Sequence, residues 1–382
     1  MCLGPVIAQT DTEVHLFDIV YQDDTFGLTN GLNISNNAGY DNQPSFYNDN
    51  RVLFSSNRDG QTDIAFYNVR DNELEYLTNT KGGSEYSPLK IPDSKDVSAI
   101  RLDKDGTQLL YSYKITSGKS KVLLPGQKVG YHLWYRPDIL VTTVLVDDRM
   151  DLVVSNLKDN TNYTFQKNVG RSLHKIPNSN LVSYVSKETG SNLIKSLNPI
   201  SGATNLIIDM GGIEDYCWLL NGTIIAASGK NLIQYNPKTD TNWNLVKTFS
   251  DKNINNISRV AVNNLSTKLA LVAEVSPEII VQKQLDAYNA RDLETFLNTY
   301  SKTIKLFNYP TELQSEGKEQ LRSGYAKFFE NTPDLHCEIK NRIVIGNKVI
   351  DEEYITANGQ NFGAVAIYEV ENGKIAKVTF IR

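Results

Sequence analysis

The chain is poor in the residues that build covalent or metal-bound scaffolds. Three cysteines occur in 382 residues, at Cys2, Cys217 and Cys337. They fall in separate stretches, so neither a disulfide framework nor a Cys-x-x-Cys metal spacing is expected. Cys217 and Cys337 read as small buried apolar residues. No apolar run reaches the ~20 residues that a membrane helix needs, so no membrane span is expected. A basic excess is also missing. Before Pro277, 26 basic residues face 29 acidic ones; after it, 13 face 15, for a net charge of −5. Nucleic acid therefore has no electrostatic footing as a partner. There is no glycine-rich phosphate loop and no nucleophile elbow, and no cofactor is expected. Asp103-Lys104-Asp105-Gly106 opens like a calcium loop, but its twelfth position is Lys114 rather than Glu. It reads as a hairpin turn, and no metal site is assigned.

What the chain does have is a repeat. From Tyr40 to Thr78, four short β-runs alternate with polar turns: Pro44-Ser45-Phe46, then Val52–Gly60, then Asp63-Ile64, then Leu77-Thr78. A drifted copy returns about every 44 residues, as expected for a unit that buries its apolar face only by stacking on copies of itself. Five units follow one another from Tyr40. A sixth keeps two strands, Ile257–Val262 and Leu269–Ala273, and two strand-like runs stand unused at the other end, Val14–Tyr21 and Phe26–Leu32. Pairing the first runs with the last closes a ring of six blades and removes the open sheet edges. The elements Pro44-Ser45-Phe46 and Ser56-Asn57-Arg58-Asp59-Gly60…Asp63-Ile64 resemble those of TolB-like and WD-repeat-like propellers. That resemblance covers roughly residues 10–275 and implies a binding platform.

From Pro277 the pattern changes. Ser276 and Pro277 open a helix with apolar positions at Ile279, Leu285, Tyr288, Leu293, Phe296 and Tyr300, broken near Ala290-Arg291-Asp292. A second helix is expected over Gly317–Phe329, then strands near Leu335–Ile345, Lys348–Ala357, Phe362–Val370 and Ile375–Ile381. The fold class expected is thus multidomain: an all-β six-bladed propeller followed by a small α+β cone with an antiparallel meander. The segments Gln284–Leu293 and Tyr368–Ile375 resemble the SnoaL-like, nuclear-transport-factor-2-like family, whose fold is shared with ketosteroid isomerase; the resemblance spans about 277–382. It implies a pocket near Tyr288, Asn308 and Tyr325. The isomerase roles themselves are unfilled. Gln284 stands at the first-helix Tyr position, Asn308 at the general-base position, and no acid lies between Asn361 and Tyr368.

Two sets of residues are candidates for function. The first is the start of each blade's innermost strand, where Tyr40, Glu85, Tyr86, Tyr131, His132, Arg171, His174, Asp215, Tyr216 and Arg259 are expected to ring one mouth of the channel. Aromatic rings beside fixed charges suit a peptide, a protein segment or a small polar ligand. Packing between blades is the plainer alternative, with Arg171 and Arg259 paired to Glu85 and Asp215. The second set lies on the C-terminal strands: His336, Asp351, Glu352 and Glu353. Strand alternation puts Asp351 and Glu353 on one face and Glu352 on the other. A carboxyl facing the cone interior could act as an acid or base; acids on a solvated face would pair with Lys340 or Arg342.

Residues 1–9 read as the tail of a secretory signal, with Val6 and Ala8 at the −3 and −1 positions and the basic and most of the apolar regions missing. These readings lead to a periplasmic or extracellular binding protein, with the C-terminal part as a second ligand site or a homodimer contact. The alternative is an enzyme of isomerase, dehydratase or hydrolase class using acid–base chemistry in the cone.

Overall fold

The structure is a computed structural model and describes residues 11–22, 25–58 and 60–382. The leader-like segment 1–9, with Cys2, lies outside the described residues, as does Asp59 of the first-blade turn. The chain divides into two compact units, with Thr12–Glu274 in one and Val275–Arg382 in the other.

Among the described residues, the first unit consists of six four-stranded antiparallel sheets. Five are consecutive meanders. The sixth is assembled from both ends of the unit, in the order Thr25–Asn33, Thr12–Gln22, Lys268–Glu274, Ile257–Val262. Val14 lies opposite Val272, and Leu16 opposite Ala270. The closing strand is thus hydrogen-bonded on both sides, which satisfies its backbone and leaves no open seam.

The core of the ring is divided among the seams. Each pair of neighbouring blades encloses its own apolar cluster, such as Leu53, Ile64 and Phe66 of the first blade against Val97, Ala99 and Tyr111 of the second. The ring closes over Val14, Leu16, Ala270 and Val272 against Val52 and Phe54. Cys217 is buried in the seam between the fifth and sixth blades. Polar ties repeat as well. Trp134 Nε1 donates to Ser98 Oγ at 2.8 Å, and Trp218 Nε1 donates to Ser183 Oγ at 2.8 Å. In both, the Trp is on the first strand of a blade and the Ser on the second strand of the blade before it.

The second unit packs three helices on one six-stranded sheet. Helix α1 spans Pro277–Ala290 and buries Val281, Gln284, Leu285 and Ala287, a helical stripe. Ser276 occupies the N-cap position, but its hydroxyl bonds to Glu278 rather than to a backbone N–H. The break falls at Arg291, which is left-handed, and Asp292 then caps α2, Leu293–Asn298, by accepting from Thr295 N at 3.1 Å. Tyr300, expected on the helical face, instead opens the strand Tyr300–Asn308. That strand pairs parallel with Lys374–Ile381, at the end of the antiparallel meander of the four C-terminal strands. The edge strand Glu312–Glu316 was not anticipated; its sequence is too short and polar to show a period of two. Helix α3 spans Lys318–Asn331. The final hairpin turns on Asn372 and Gly373, both at positive φ, a geometry that favours this residue pair.

Ring closure has a measurable consequence. Leu271 is fully buried between His15 and Val260 on the two neighbouring strands. Leu271→Ala is expected to cost about 2–5 kcal/mol in denaturant unfolding. Leu245→Ala, at a side chain 64% exposed, should change stability by less than about 0.5 kcal/mol.

Candidate functional site

In the propeller, the first strands of successive blades neighbour one another around the ring and line the channel. Strand alternation splits the expected ring of residues. Tyr40, Tyr86, Tyr131, Arg171, Asp215 and Arg259 are brought together. The rings of Tyr40 and Tyr86 meet edge to face at 6.1 Å. Arg259 approaches Asp215 at 3.3 Å and donates to the Tyr131 hydroxyl at 3.1 Å. The second Asp215 oxygen accepts from Val260 N at 2.9 Å.

Glu85 and Tyr216 turn into the seams, which corrects the expectation that all of them face the mouth, whereas His132 and His174 are buried in the wall of the channel cavity. Glu85 is fully buried and accepts from the hydroxyls of Thr78, Thr80 and Tyr113, so it is not a partner of Arg171. Arg171 faces Glu214 instead, at 3.6 Å. Tyr216 is wholly buried among Val185, Ile194 and Trp218. His132 is buried with Nε2 sharing a hydrogen bond of 2.8 Å with Ser98 Oγ, and burial lowers its pKa to about 3. His174 shares a hydrogen bond of 3.0 Å with Ser172 Oγ and packs on Tyr216, its pKa lowered to about 4, chiefly by burial. Both imidazoles are therefore neutral at pH 7.

The second unit contains an aromatic-lined cavity of about 490 Å³. Tyr288 from α1 and Tyr325 and Phe328 from α3 cover one side; Ile355, Phe362, Ala364 and Phe380 from the sheet cover the other. Glu353 is the one carboxyl among the lining residues. It is 6% exposed and accepts a hydrogen bond of 2.9 Å from the Tyr368 hydroxyl. Ala364 lies directly opposite Glu353 on the neighbouring strand, and its small side chain leaves the carboxyl room to reach the cavity. Burial raises the Glu353 pKa to about 7, reinforced by the Asp351 carboxylate and opposed by the Tyr368 hydrogen bond and by Arg342 and Arg382. Burial likewise pushes Tyr325 and Cys337 up to about 12.

The other strand candidates have different fates. Asp351 is buried on the same side as Glu353 but is clamped by Arg342, with Nε–Oδ1 and Nη2–Oδ2 both at 2.7 Å. Glu352 points outward and accepts from Asn341. His336 is exposed at a strand start and lines no part of the cavity. Asn308, the last residue of its strand, is also absent from the lining. The carboxyl in this cavity therefore comes from strand Lys348–Ala357 rather than from the Asn308 position. Tyr368 was missed as a functional residue. Its signal was parity: Ala364, Ala366, Tyr368 and Val370 are the buried positions of Gln360–Glu371.

The protein thus combines, along one chain, a six-bladed propeller and an α+β cone with an internal carboxyl. Residues 281–378 match the family model described as the SnoaL-like domain. A solved structure titled as an uncharacterized cystatin fold protein from Novosphingobium aromaticivorans is 33% identical over 28% of this chain and 99% of its own, with a TM-score of 0.27. The propeller is similar in fold to the structure of a putative TolB from Agrobacterium tumefaciens. That likeness is 11% identical over 70% of this chain and 99% of the other, with a TM-score of 0.53. TolB from Acinetobacter baumannii also matches, at 16% identity over 50% of this chain and 51% of its own, with a TM-score of 0.40. No curated protein matches the chain.

The buried Glu85 carboxyl makes folding depend on pH. Burial, reinforced by the Asp63 carboxylate, raises its pKa from 4.5 to about 7. The native state therefore holds a proton more tightly than the unfolded chain. The stabilisation is complete below pH 4.5 and is lost as pH rises to about 7. Glu85→Gln should flatten the stability profile between those limits, as read by urea unfolding at stepped pH; an unchanged slope would contradict the buried protonated state.

Proposed function

We propose that the cone cavity is the working site of this protein, enclosing a largely apolar small molecule to or from which Glu353 moves a proton. The observation that carries this reading is the lone buried carboxyl on the wall of an aromatic cavity, held at 2.9 Å by Tyr368. A group titrating near neutrality is suited to exchange protons with a substrate at physiological pH. The aromatic walls supply contact area and exclude water, and Tyr368 fixes which carboxyl oxygen remains for the ligand. Proton abstraction beside a carbonyl, or loss of water assisted by such a step, fits this equipment.

Binding without turnover uses the same cavity and is the alternative. A periplasmic or extracellular setting belongs to this proposal and is supported by analogy with the TolB-like fold. Self-association through the C-terminal unit is supported by the exposed Ile343, Val344 and Ile345 on the edge strand His336–Ile345; sedimentation of the isolated protein tests it.

The proton-transfer reading is tested by deuterium wash-in from D2O into a panel of enolisable cyclic ketones. Wild type should accelerate exchange, with a rate that rises as pH passes through about 7 because the carboxylate is the base. Glu353→Gln should lower the rate by about 10²-fold or more. Binding of a panel member with exchange equal in wild type and E353Q would leave the binding reading and remove the catalytic one.

A further inference from the structure

We propose that the propeller channel binds a carboxylate, held by the Arg171 guanidinium. This is a second ligand site, independent of the cone. The channel opens into a cavity of about 470 Å³ whose charged lining residues are Arg171, Lys175 and Arg259 against the single carboxylate of Asp215. The two histidines in its wall are neutral, so they add hydrogen-bonding edges without charge.

The bonding of these groups shows which arginine is less fully matched. Arg259 is engaged, facing Asp215 and the Tyr131 hydroxyl. Asp215 is engaged too, because its other oxygen takes the Val260 N–H. Arg171 is not matched in the same way. One Nη2 proton goes to the Ser258 carbonyl at 2.8 Å, and the nearest carboxylate, Glu214, is 3.6 Å away. The other Glu214 oxygen accepts from Lys187 at 2.8 Å. The buried Nε of Arg171 has no acceptor. The buried Ser87 hydroxyl, which lines the same cavity, likewise has no partner.

A buried guanidinium N–H without an acceptor is costly unless one arrives, and a planar carboxylate matches the guanidinium fork. The excess of cations on this side favours an anion over a neutral ligand. Such a carboxylate comes either from a small organic acid or from the free C-terminus of a peptide, and Lys175 would draw either inward.

The test is calorimetric titration of the whole chain with succinate, with trialanine as the free acid, and with trialanine amide. At least one of the two acids should bind, and the amide should not. A response to succinate alone identifies a small-acid site, and a response to the peptide acid alone identifies a chain-terminus site. Arg171→Gln should weaken the bound acid by about tenfold or more, and Lys175→Gln by a few-fold. Glu353→Gln should leave the affinity unchanged, which separates this site from the cone. Should R171Q fail to fold, Ser87→Ala and K175Q carry the comparison. The proposal is overturned if neither acid binds, if the amide binds as well as the acid, or if the folded variants bind like wild type.

Discussion

The period of two along a β-strand is the constraint that places the working groups of both units. Successive side chains leave a strand on opposite faces. At the blade starts this sends Tyr86 toward Tyr40 and Glu85 into the seam, and Asp215 to the channel and Tyr216 into the seam. In the cone it sends Glu353 and Asp351 inward and Glu352 outward. A one-residue shift in register would exchange every one of these roles. The hydrogen-bonded ladders on both sides of these strands are therefore as necessary to the sites as the side chains themselves.

Within the cone, two inward carboxyls two residues apart receive opposite treatment. Asp351 meets a guanidinium in a two-point clamp, which commits it to structure. Glu353 meets a phenol and aromatic walls, where desolvation is not offset by a direct ion pair. The same residue chemistry thus yields a fixed anion at one position and a titratable group at the next inward one. In the propeller, the two channel arginines divide similarly. Arg259 is matched by Asp215, while Arg171 keeps a buried N–H without an acceptor.

The architecture was legible in the sequence because its signals are local and repeated. Turn residues, alternating runs and two orphan strands at each end suffice to infer ring closure, and the pairing Thr12–Gln22 with Lys268–Glu274 follows that inference. The helix break at Arg291 was legible from Ala290-Arg291-Asp292. The sites were legible only in part. Alternation separates Asp351 and Glu353 from Glu352, but at the blade starts it does not show which parity faces the channel, and Glu85 and Tyr216, expected at the mouth, lie in the seams. Tyr368 and Arg342 act across strands, and the choice between them as partner of each carboxyl depends on long-range register that no single segment displays. The parallel pairing of Tyr300–Asn308 with Lys374–Ile381 joins segments far apart in sequence and leaves no local pattern.

The most direct test of the central claim is a carbon-detected NMR titration of the glutamate side-chain carboxyls, with Glu353→Gln used to assign the resonance. The carboxyl of Glu353 should titrate with a midpoint near 7, about where burial places it against the opposing Tyr368 hydrogen bond. A midpoint near the ordinary glutamate value of about 4.3 would contradict it, since Glu353 would then be a permanently charged group and not a proton carrier.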